Sequence, residues 1–366
     1  MNLLLQKANL LIRKERPDDN HQELITFFKR GSFLQINFKT RGCKYSKQGF
    51  CSMCNYGVGK EPDYDQLLNE LDELLKNISL EKVNRLLLGS SGSFLDEYEI
   101  PTEIQNSIFE RIAKTSVKNI IIETHYKTIN IETLKRIQNY LKGKCIEIEV
   151  GLESTNKYVQ NNIINKNIDL SLLKSTIKNI HRYGMTITIN LLLGLPFINT
   201  SGQLEDTKNS IQWALDNNAD YVVIFPINIQ PYSLFEWMYF KDFIQPISLW
   251  LLVFLLNSLN ENELNHTTIS WYGNRSIQYK NYGETIHPTT CKHCSDFLMN
   301  AMDAFAEEKN LNKRKDIINM MINTPLSCDC KEKVESKICE SPKFLFDEIK
   351  RFKDAIAKEV SESEYY

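Results

Sequence analysis

Phe33-Leu34-Gln35-Ile36-Asn37-Phe38-Lys39-Thr40-Arg41-Gly42-Cys43-Lys44-Tyr45-Ser46-Lys47-Gln48-Gly49-Phe50-Cys51-Ser52-Met53-Cys54-Asn55-Tyr56-Gly57 joins an apolar, strand-like run to a glycine-bearing loop with three cysteines spaced C-x7-C-x2-C. Three thiolates on such a loop wrap a cubane iron–sulfur cluster and leave its fourth iron open for chemistry, whereas a structural zinc site takes four protein ligands. The competing reading is three reduced, half-buried cysteines, or a zinc site completed from elsewhere in the chain.

Working outward, Tyr64 to Asn77 carries leucines at 67, 68, 71, 74 and 75, the stripe of an amphipathic helix. Apolar runs follow at Val83–Leu88, Val117–Ile122, Ile146–Leu152, Met185–Leu193 and Tyr221–Phe225, separated by helical patterns beginning near Pro101, Asn130, Asp169 and Thr200. With the first strand these make six strand–helix units. Repeated units of this kind predict a parallel sheet, open and doubly wound or curled into a full or partial barrel, with its site on the loops at the strands' carboxyl ends. The cysteine loop lies at that end of strand one.

Other polar motifs sit at the same end. Gly89-Ser90-Ser91-Gly92 after strand two lets a ligand approach the backbone and offers N–H groups to a carboxylate. Strand three ends in Glu123-Thr124-His125-Tyr126 and strand four in Gly151-Leu152-Glu153-Ser154. Strand five carries Asn190 before Gly194-Leu195-Pro196-Phe197, and strand six runs into Asn228-Ile229-Gln230-Pro231-Tyr232. Glu153 is read as a contact to a ribose diol or as a helix cap. His125, Tyr126 and Tyr232 are the candidates for a catalytic role, with a hydrogen-bonded rim histidine as the plain alternative for His125. The aromatics Phe235, Trp237, Tyr239, Phe240 and Trp250 read as core or as the wall of an apolar pocket.

Composition sets bounds. The 366 residues, 42% of them hydrophobic, suffice for one large α/β domain with an appendage. Nine cysteines, in one triplet and two close pairs plus Cys145 and Cys339, fit metal chemistry in a reducing compartment rather than a disulfide framework. The longest apolar stretch, Ser248 to Leu256, is too short to span a bilayer, and Met1 to Lys7 lacks a secretory pattern, so a cytoplasmic protein with no membrane attachment is expected. A net charge of −2 argues against a dedicated polyanion binder, though not against a local basic face.

Past residue 265 the strand–helix rhythm stops. Cys291-Lys292-His293-Cys294 and Cys328-Asp329-Cys330 form a C-x2-C…C-x-C set, a four-thiolate metal signature. Zinc is the first choice and a second iron–sulfur cluster the alternative; His287 or His293 can replace one ligand. Pro342 to Val360 reads as an amphipathic helix.

In this order of motifs the chain resembles the radical S-adenosylmethionine (SAM) superfamily, and within it the family of the archaeosine-synthase radical SAM subunit, related to the radical SAM domain of the Elongator catalytic subunit. The resemblance rests on Thr40-Arg41-Gly42-Cys43 with Cys51 and Cys54, Gly92 to Pro101, Gly151-Leu152-Glu153-Ser154, Asn228-Ile229-Gln230 and the two cysteine pairs. Leu4, Leu5, Leu10 and Leu11 at helical spacing read as a helical lead-in over 1–30, and the resemblance, over roughly residues 33 to 335, implies a partial (β/α)6 barrel of the TIM-like type within 31–265, followed by the cysteine-rich metal-binding extension over 266–366. It also implies a [4Fe–4S] cluster on Cys43, Cys51 and Cys54, with SAM chelating the open iron. Gly89, Ser90, Ser91 and Gly92 would meet the methionyl end, and Glu153 and Asn190 would make polar contacts. Cys291, Cys294, Cys328 and Cys330 would hold the second metal.

The chemistry so implied is reductive cleavage of SAM to a 5′-deoxyadenosyl radical, hydrogen abstraction, and C–N bond cleavage of a lysine-modified 7-deazaguanine in tRNA or a related substrate, a lyase-type tRNA modification. The partners it admits are a protein that presents the substrate, tRNA, and a reductant such as flavodoxin or ferredoxin. The chain departs from the family at Glu123-Thr124-His125-Tyr126, Gly194-Leu195-Pro196-Phe197 and Gln230-Pro231-Tyr232, where Glu-Ser-Arg-Pro, Lys-Pro-Pro-Phe and Gln-Arg-Gly are expected. Those loops would face substrate. Two further readings stay open: a radical SAM enzyme modifying a peptide or small metabolite, and a non-catalytic zinc-binding adaptor.

Overall fold

Alternating blocks of branched apolar residues and capped amphipathic stretches fold into one curled sheet wrapped by helices. A computed structural model describes residues 2–16, 23–270 and 285–363. In chain order the elements are α1 (Asn2–Lys14), β1 (Ile25–Arg30), β2 (Phe33–Phe38), α2 (Lys44–Lys47), α3 (Tyr64–Asn77), β3 (Arg85–Ser90), α4 (Thr102–Ala113), β4 (Asn119–Glu123), α5 (Ile131–Tyr140), β5 (Cys145–Glu153), α6 (Lys157–Asn162), α7 (Leu170–Arg182), β6 (Thr186–Leu193), α8 (Thr200–Asp216) and β7 (Tyr221–Pro226). There follow α9 (Leu234–Phe240), α10 (Leu249–Asn257), α11 (Glu261–His266), β8 (Thr267–Ile269), α12 (Ser295–Glu307), α13 (Leu311–Asn323), α14 (Cys330–Ile338) and α15 (Phe346–Ser363).

The sheet order is β1 through β8 in sequence, antiparallel between β1 and β2 and parallel thereafter. β1 and β8 do not pair with each other, so the sheet is a partial barrel. The helix starts coincide with side-chain caps: Asn130, Asp169 and Asn199 each accept hydrogen bonds from the N–H groups of the first turn.

Strand alternation divides the sheet's two faces. Ile36, Leu88, Ile122, Ile148 and Ile187 lie side by side in register on the outer face and are fully buried in the main core. The alternate positions point inward; Leu87 and Ile121 among them are apolar, but towards the carboxyl ends they are polar or glycine: Asn37, Gly89, Glu123, Glu149, Gly151 and Asn190.

A second apolar core lies at the carboxyl ends of β6 and β7. It joins Leu5, Ala8 and Ile12 of α1, Val159 of α6, Leu234, Phe235 and Met238 of α9, and Ile349, Phe352 and Ile356 of α15. Trp250 is fully buried in the main core, while Phe240 is exposed.

Two expectations need correction. The lead-in read as helical over 1–30 is helix only over Asn2–Lys14, and Ile25–Arg30 adds an antiparallel edge strand; residues 17–22 lie outside the described residues. The rhythm also runs past 265, because β8 pairs in parallel with β7. Three residues are too short a strand for periodicity to reveal. The cysteine-rich segment shares the barrel's core through Leu298, Met302, Phe305 and Met321; residues 271–284 of it lie outside the described residues.

Candidate functional site

The loop after β2 is closed by a hydrogen bond from Cys43 N to Tyr56 O of 2.7 Å. Gly42 and Gly49 take φ of +86° and +84°, and a Cβ on Gly49 would stand 2.6 Å from Gln6 O of α1, so the loop folds hard against that helix. Cys51 itself sits at φ +59°, and its N–H donates to Asn165 O at 3.2 Å. The thiols of Cys51 and Cys54 are hydrogen-bonded, which draws Cys54 down to about 5, with the positive charge of Arg13 nearby contributing. Burial, reinforced by Glu99, pushes Cys43 up to about 12.

Glu99 is a residue that motif reasoning passed over. It is wholly buried beneath the Gly89–Gly92 loop, accepting from Ser93 N at 3.0 Å and Ser90 Oγ at 3.3 Å. Desolvation raises its carboxyl to about 8. Gly92 lies directly over the first thiol: a Cβ there would stand 2.4 Å from Cys43 Cβ and 2.8 Å from its Sγ.

Carboxylates line the barrel interior at the same end. Glu123 at the end of β4 pairs in register with Glu149 of β5, and Asn190 Nδ2 of β6 donates to Glu149 Oε1 at 2.7 Å. Desolvation, with Glu149 as the nearest like charge, lifts Glu123 to about 8, and desolvation lifts Glu149 to about 7. Buried Asn190 Oδ1 has no partner. Glu153, held at φ +70° on a bulge of β5, accepts from Lys166 Nζ at 2.6 Å. Lys166 also donates to Gly151 O at 2.7 Å, and it feels the charges of Cys51 and Cys54. Carboxylates, ammonium and thiols therefore form one electrostatically connected group.

The structure disperses the three catalytic candidates. His125 lies 5.1 Å from the Tyr45 ring, which stacks on Phe50 of the cysteine loop. Its Nδ1 accepts from Lys127 N at 3.3 Å, and burial holds the ring neutral with its pKa down at about 3. Tyr126 is buried away from the lumen in the main core, and its hydroxyl accepts from Asp169 N at 3.0 Å. Tyr232 caps its own loop, its N–H donating to Glu236 Oε2 at 2.6 Å. That loop is tied to the cysteines: Asn55 Nδ2 donates to Pro231 O at 2.7 Å and Phe235 N to Ser52 O at 3.3 Å.

The two distant cysteine pairs converge. Among the described residues, Cys291, Cys294, Cys328 and Cys330 alone gather three or more metal-capable ligand atoms within 4.8 Å of one another. Cys291 and Cys294 Sγ are 3.6 Å apart, and a hydrogen bond with Cys330 draws Cys291 down to about 6. His287 does not join them; its Nδ1 lies 3.0 Å from Asn228 Oδ1. Cys145 and Cys339 are exposed and apart.

Motif reading missed Lys166, Arg13 and Asn9 as well as Glu99. The inward carboxylates had a visible signal, polar residues at alternate positions of otherwise apolar strands, whereas Lys166 on an irregular segment had none. No helix of the described residues is long and apolar enough to cross a membrane.

Comparison with known proteins places this geometry. Residues 37–213 match the model of the radical SAM superfamily. The chain is 30% identical over 237 residues to the archaeosine synthase subunit beta of Thermococcus kodakarensis, covering 62% of this chain and 72% of that one. It is 24% identical to the subunit of the same name from Methanosarcina acetivorans, over 86% of each chain. A solved structure of a queuine lyase from Clostridium spiroforme, bound to SAM and queuine, is similar at 25% identity, with a TM-score of 0.40 over 56% of this chain and 80% of that one. The chain belongs to the radical SAM superfamily and is an enzyme of that type, a membership that implies SAM and a [4Fe–4S] cluster.

Proposed function

We propose that the enzyme modifies a lysine-substituted 7-deazaguanine, breaking a C–N bond of the adduct, with Cys43, Cys51 and Cys54 as the cluster ligands. The thiols fit that group: three of them share one loop, held in shape by the hydrogen bonds from Cys43 N to Tyr56 O and from Cys51 N to Asn165 O, and no fourth protein thiol is needed on it. Held by Cys43, Cys51 and Cys54, such a cluster would supply one-electron chemistry to SAM and through it hydrogen abstraction from substrate. Gly92 brings its bare backbone up against Cys43, where the methionyl end would be held, and Glu153 and Asn190 offer acceptors and a donor from the lumen wall.

The observation that carries the substrate reading is the Glu123–Glu149–Asn190 array. Two neighbouring carboxyls in a desolvated lumen, which Lys166 and Arg85 only partly offset, ionise together more readily once a ligand brings positive charge or several N–H donors. A deazaguanine edge, with its ring N–H and amino group, or the ammonium of a lysine adduct, supplies them. Asn190 Oδ1 is a further acceptor waiting for such a donor.

A second observation favours a tRNA-borne base over a free one. Arg41, Lys44 and Lys47 surround the Tyr98 ring at 5.1 to 5.8 Å beside the cysteine loop, and Lys127 lies over Tyr45 at 5.7 Å. Cations interleaved with aromatics suit phosphates and unstacked bases. The relatives' name, subunit beta, supports a partner subunit that presents the substrate. Cys291, Cys294, Cys328 and Cys330 are assigned to one structural zinc: with Zn–S near 2.3 Å, tetrahedral thiolates stand about 3.8 Å apart, close to the 3.6 Å of Cys291 and Cys294.

The test is an anaerobic reaction of reconstituted enzyme with SAM, a reductant and tRNA carrying the lysine–deazaguanine adduct, read by mass spectrometry. Deoxyadenosine together with converted nucleoside supports the reading. Deoxyadenosine without any change in the tRNA or in the free adduct nucleoside sinks the substrate assignment, and the altered loops at 123–126, 194–197 and 230–232 then point elsewhere.

A further inference from the structure

Helix α1 carries two polar residues on its apolar stripe, which a helix that merely packs has no reason to do. Leu5, Ala8 and Ile12 are buried in the second core, and next to Ala8 and Ile12 in the chain Asn9 and Arg13 are buried as well, at 1% and 5% exposure. Four residues apart, they share one helix face. That face lies on the cysteine loop.

Arg13 spends its whole guanidinium there. Nη1 donates to Ser46 O at 2.6 Å; Nη2 donates to Phe50 O at 2.7 Å, Cys51 O at 2.6 Å and Cys54 O at 3.0 Å; and Nε donates to Cys54 O at 3.3 Å. Asn9 Nδ2 donates to Gly49 O at 2.8 Å, filling the gap between those carbonyls. One planar fork thus gathers four residues of the loop, two of the three cysteines among them. A lysine, whose three donors sit on one nitrogen and form no planar fork, cannot reproduce this geometry.

The charge is as informative as the hydrogen bonds. A buried cation normally faces a carboxylate, because an uncompensated charge in the interior is expensive. Among the described residues the hydrogen-bond partners of Arg13 are all carbonyl oxygens. The positive charge instead acts on the Cys54 thiol, which it draws towards the thiolate form.

We propose that Arg13 is the positioning residue of the cluster loop, fixing the conformation in which Cys51 and Cys54 present their thiolates and placing a buried positive charge behind them that favours the more reduced, more negative cluster. Helix α15 completes the brace, packing Ile349, Phe352, Ile356 and Val360 into the core that seats α1. Charge and hydrogen bonds outside the ligand shell are among the levers that set the potential of such clusters. This inference rests on the assignment of Cys43, Cys51 and Cys54 as cluster ligands.

The experiment compares parent, Arg13→Lys, Arg13→Gln and Cys51→Ala after anaerobic reconstitution, without substrate. It reads iron per chain, the electron paramagnetic resonance of the reduced cluster and its midpoint potential, with the metal of the four-cysteine site as an internal measure of folding. Iron retention in Arg13→Gln is expected to weaken on the order of 10-fold, with the remaining cluster harder to reduce. Arg13→Lys should fall between it and the parent in both respects. Parental iron, spectrum and potential in Arg13→Gln would overturn the proposal; if that variant loses the second metal too, parental values in Arg13→Lys would do so. Equal iron in parent and Cys51→Ala marks failure of the cluster assignment instead.

Discussion

Lys166 Nζ donates to Glu153 Oε1 at 2.6 Å, and each side chain is only 10% exposed, so the two form a buried ion pair, which also feels the charges of Cys51 and Cys54. Desolvation opposes the charge on Lys166, but Glu153 together with the charges of Cys51 and Cys54 holds the ammonium above its ordinary pKa. Breaking such a pair from one side leaves an uncompensated charge and costs about 3–5 kcal/mol. Lys166→Met should therefore lower the melting temperature sharply, and adding Glu153→Gln should restore most of the loss. Thermal unfolding of the single and double variants checks this; equal destabilisation in both would mean the two residues do not act as a pair.

Glu123 and Glu149 make stability depend on pH in a definite direction. Their carboxyls titrate near 8 and 7 in the folded protein, against 4.5 in the ordinary range. The folded state thus holds protons that the unfolded chain has released, and stability falls as pH rises from about 4.5 to about 8. Glu149→Gln should flatten this slope and raise stability at pH 8 by about 2 kcal/mol. Denaturant unfolding at pH 5 and pH 8 is the measurement.

Gly92 and Gly143 separate crowding from strain. Gly143 has φ +82° with nothing within 4 Å of its would-be Cβ, so Gly143→Ala should cost about 1 kcal/mol and leave the site intact. Gly92→Ala would drive a methyl into Cys43. Iron content after reconstitution should drop in the second variant and remain parental in the first.

The basic group around Tyr98 has its own signature. Lys44→Glu with Lys47→Glu should weaken tRNA binding and reduce its dependence on salt, by about one unit of log–log slope for each phosphate that is no longer neutralised. Binding of a free adduct nucleoside should not change. Titrations at several salt concentrations check both halves.

Cys328→Ser removes one of the four converging thiols and should release the second metal without altering iron in the cysteine loop. Elemental analysis distinguishes zinc from a second iron–sulfur cluster in the same experiment, since only the latter would add iron to the parent.

Glu123 and Glu149 also mark the border of what could be read without coordinates. Their place on strands was legible from the apolar runs around them. That they share a lumen follows only once the sheet curls and sets β4 beside β5 in register. Tyr126, close to Glu123 in the chain and equally polar in sequence, turns into the core instead, because the chain leaves the strand through a turn at Tyr126–Thr128.

Local rules therefore determined the strand–helix alternation, the capped helix starts at Asn130 and Asp169, the cysteine loop and the convergent C-terminal pairs. Each is set by a period, a cap or a ligand spacing carried within a few residues. Tertiary structure alone decided the edge strands β1 and β8, the seating of α1, and the partners of Arg13, Glu99 and Lys166. Arg13 meets its carbonyls 33 to 41 positions away, and Lys166 meets Glu153 across an irregular segment. Hydrogen bonds and charge interactions depend on distance in space, and for groups so far apart in the chain that distance exists only after the barrel has formed.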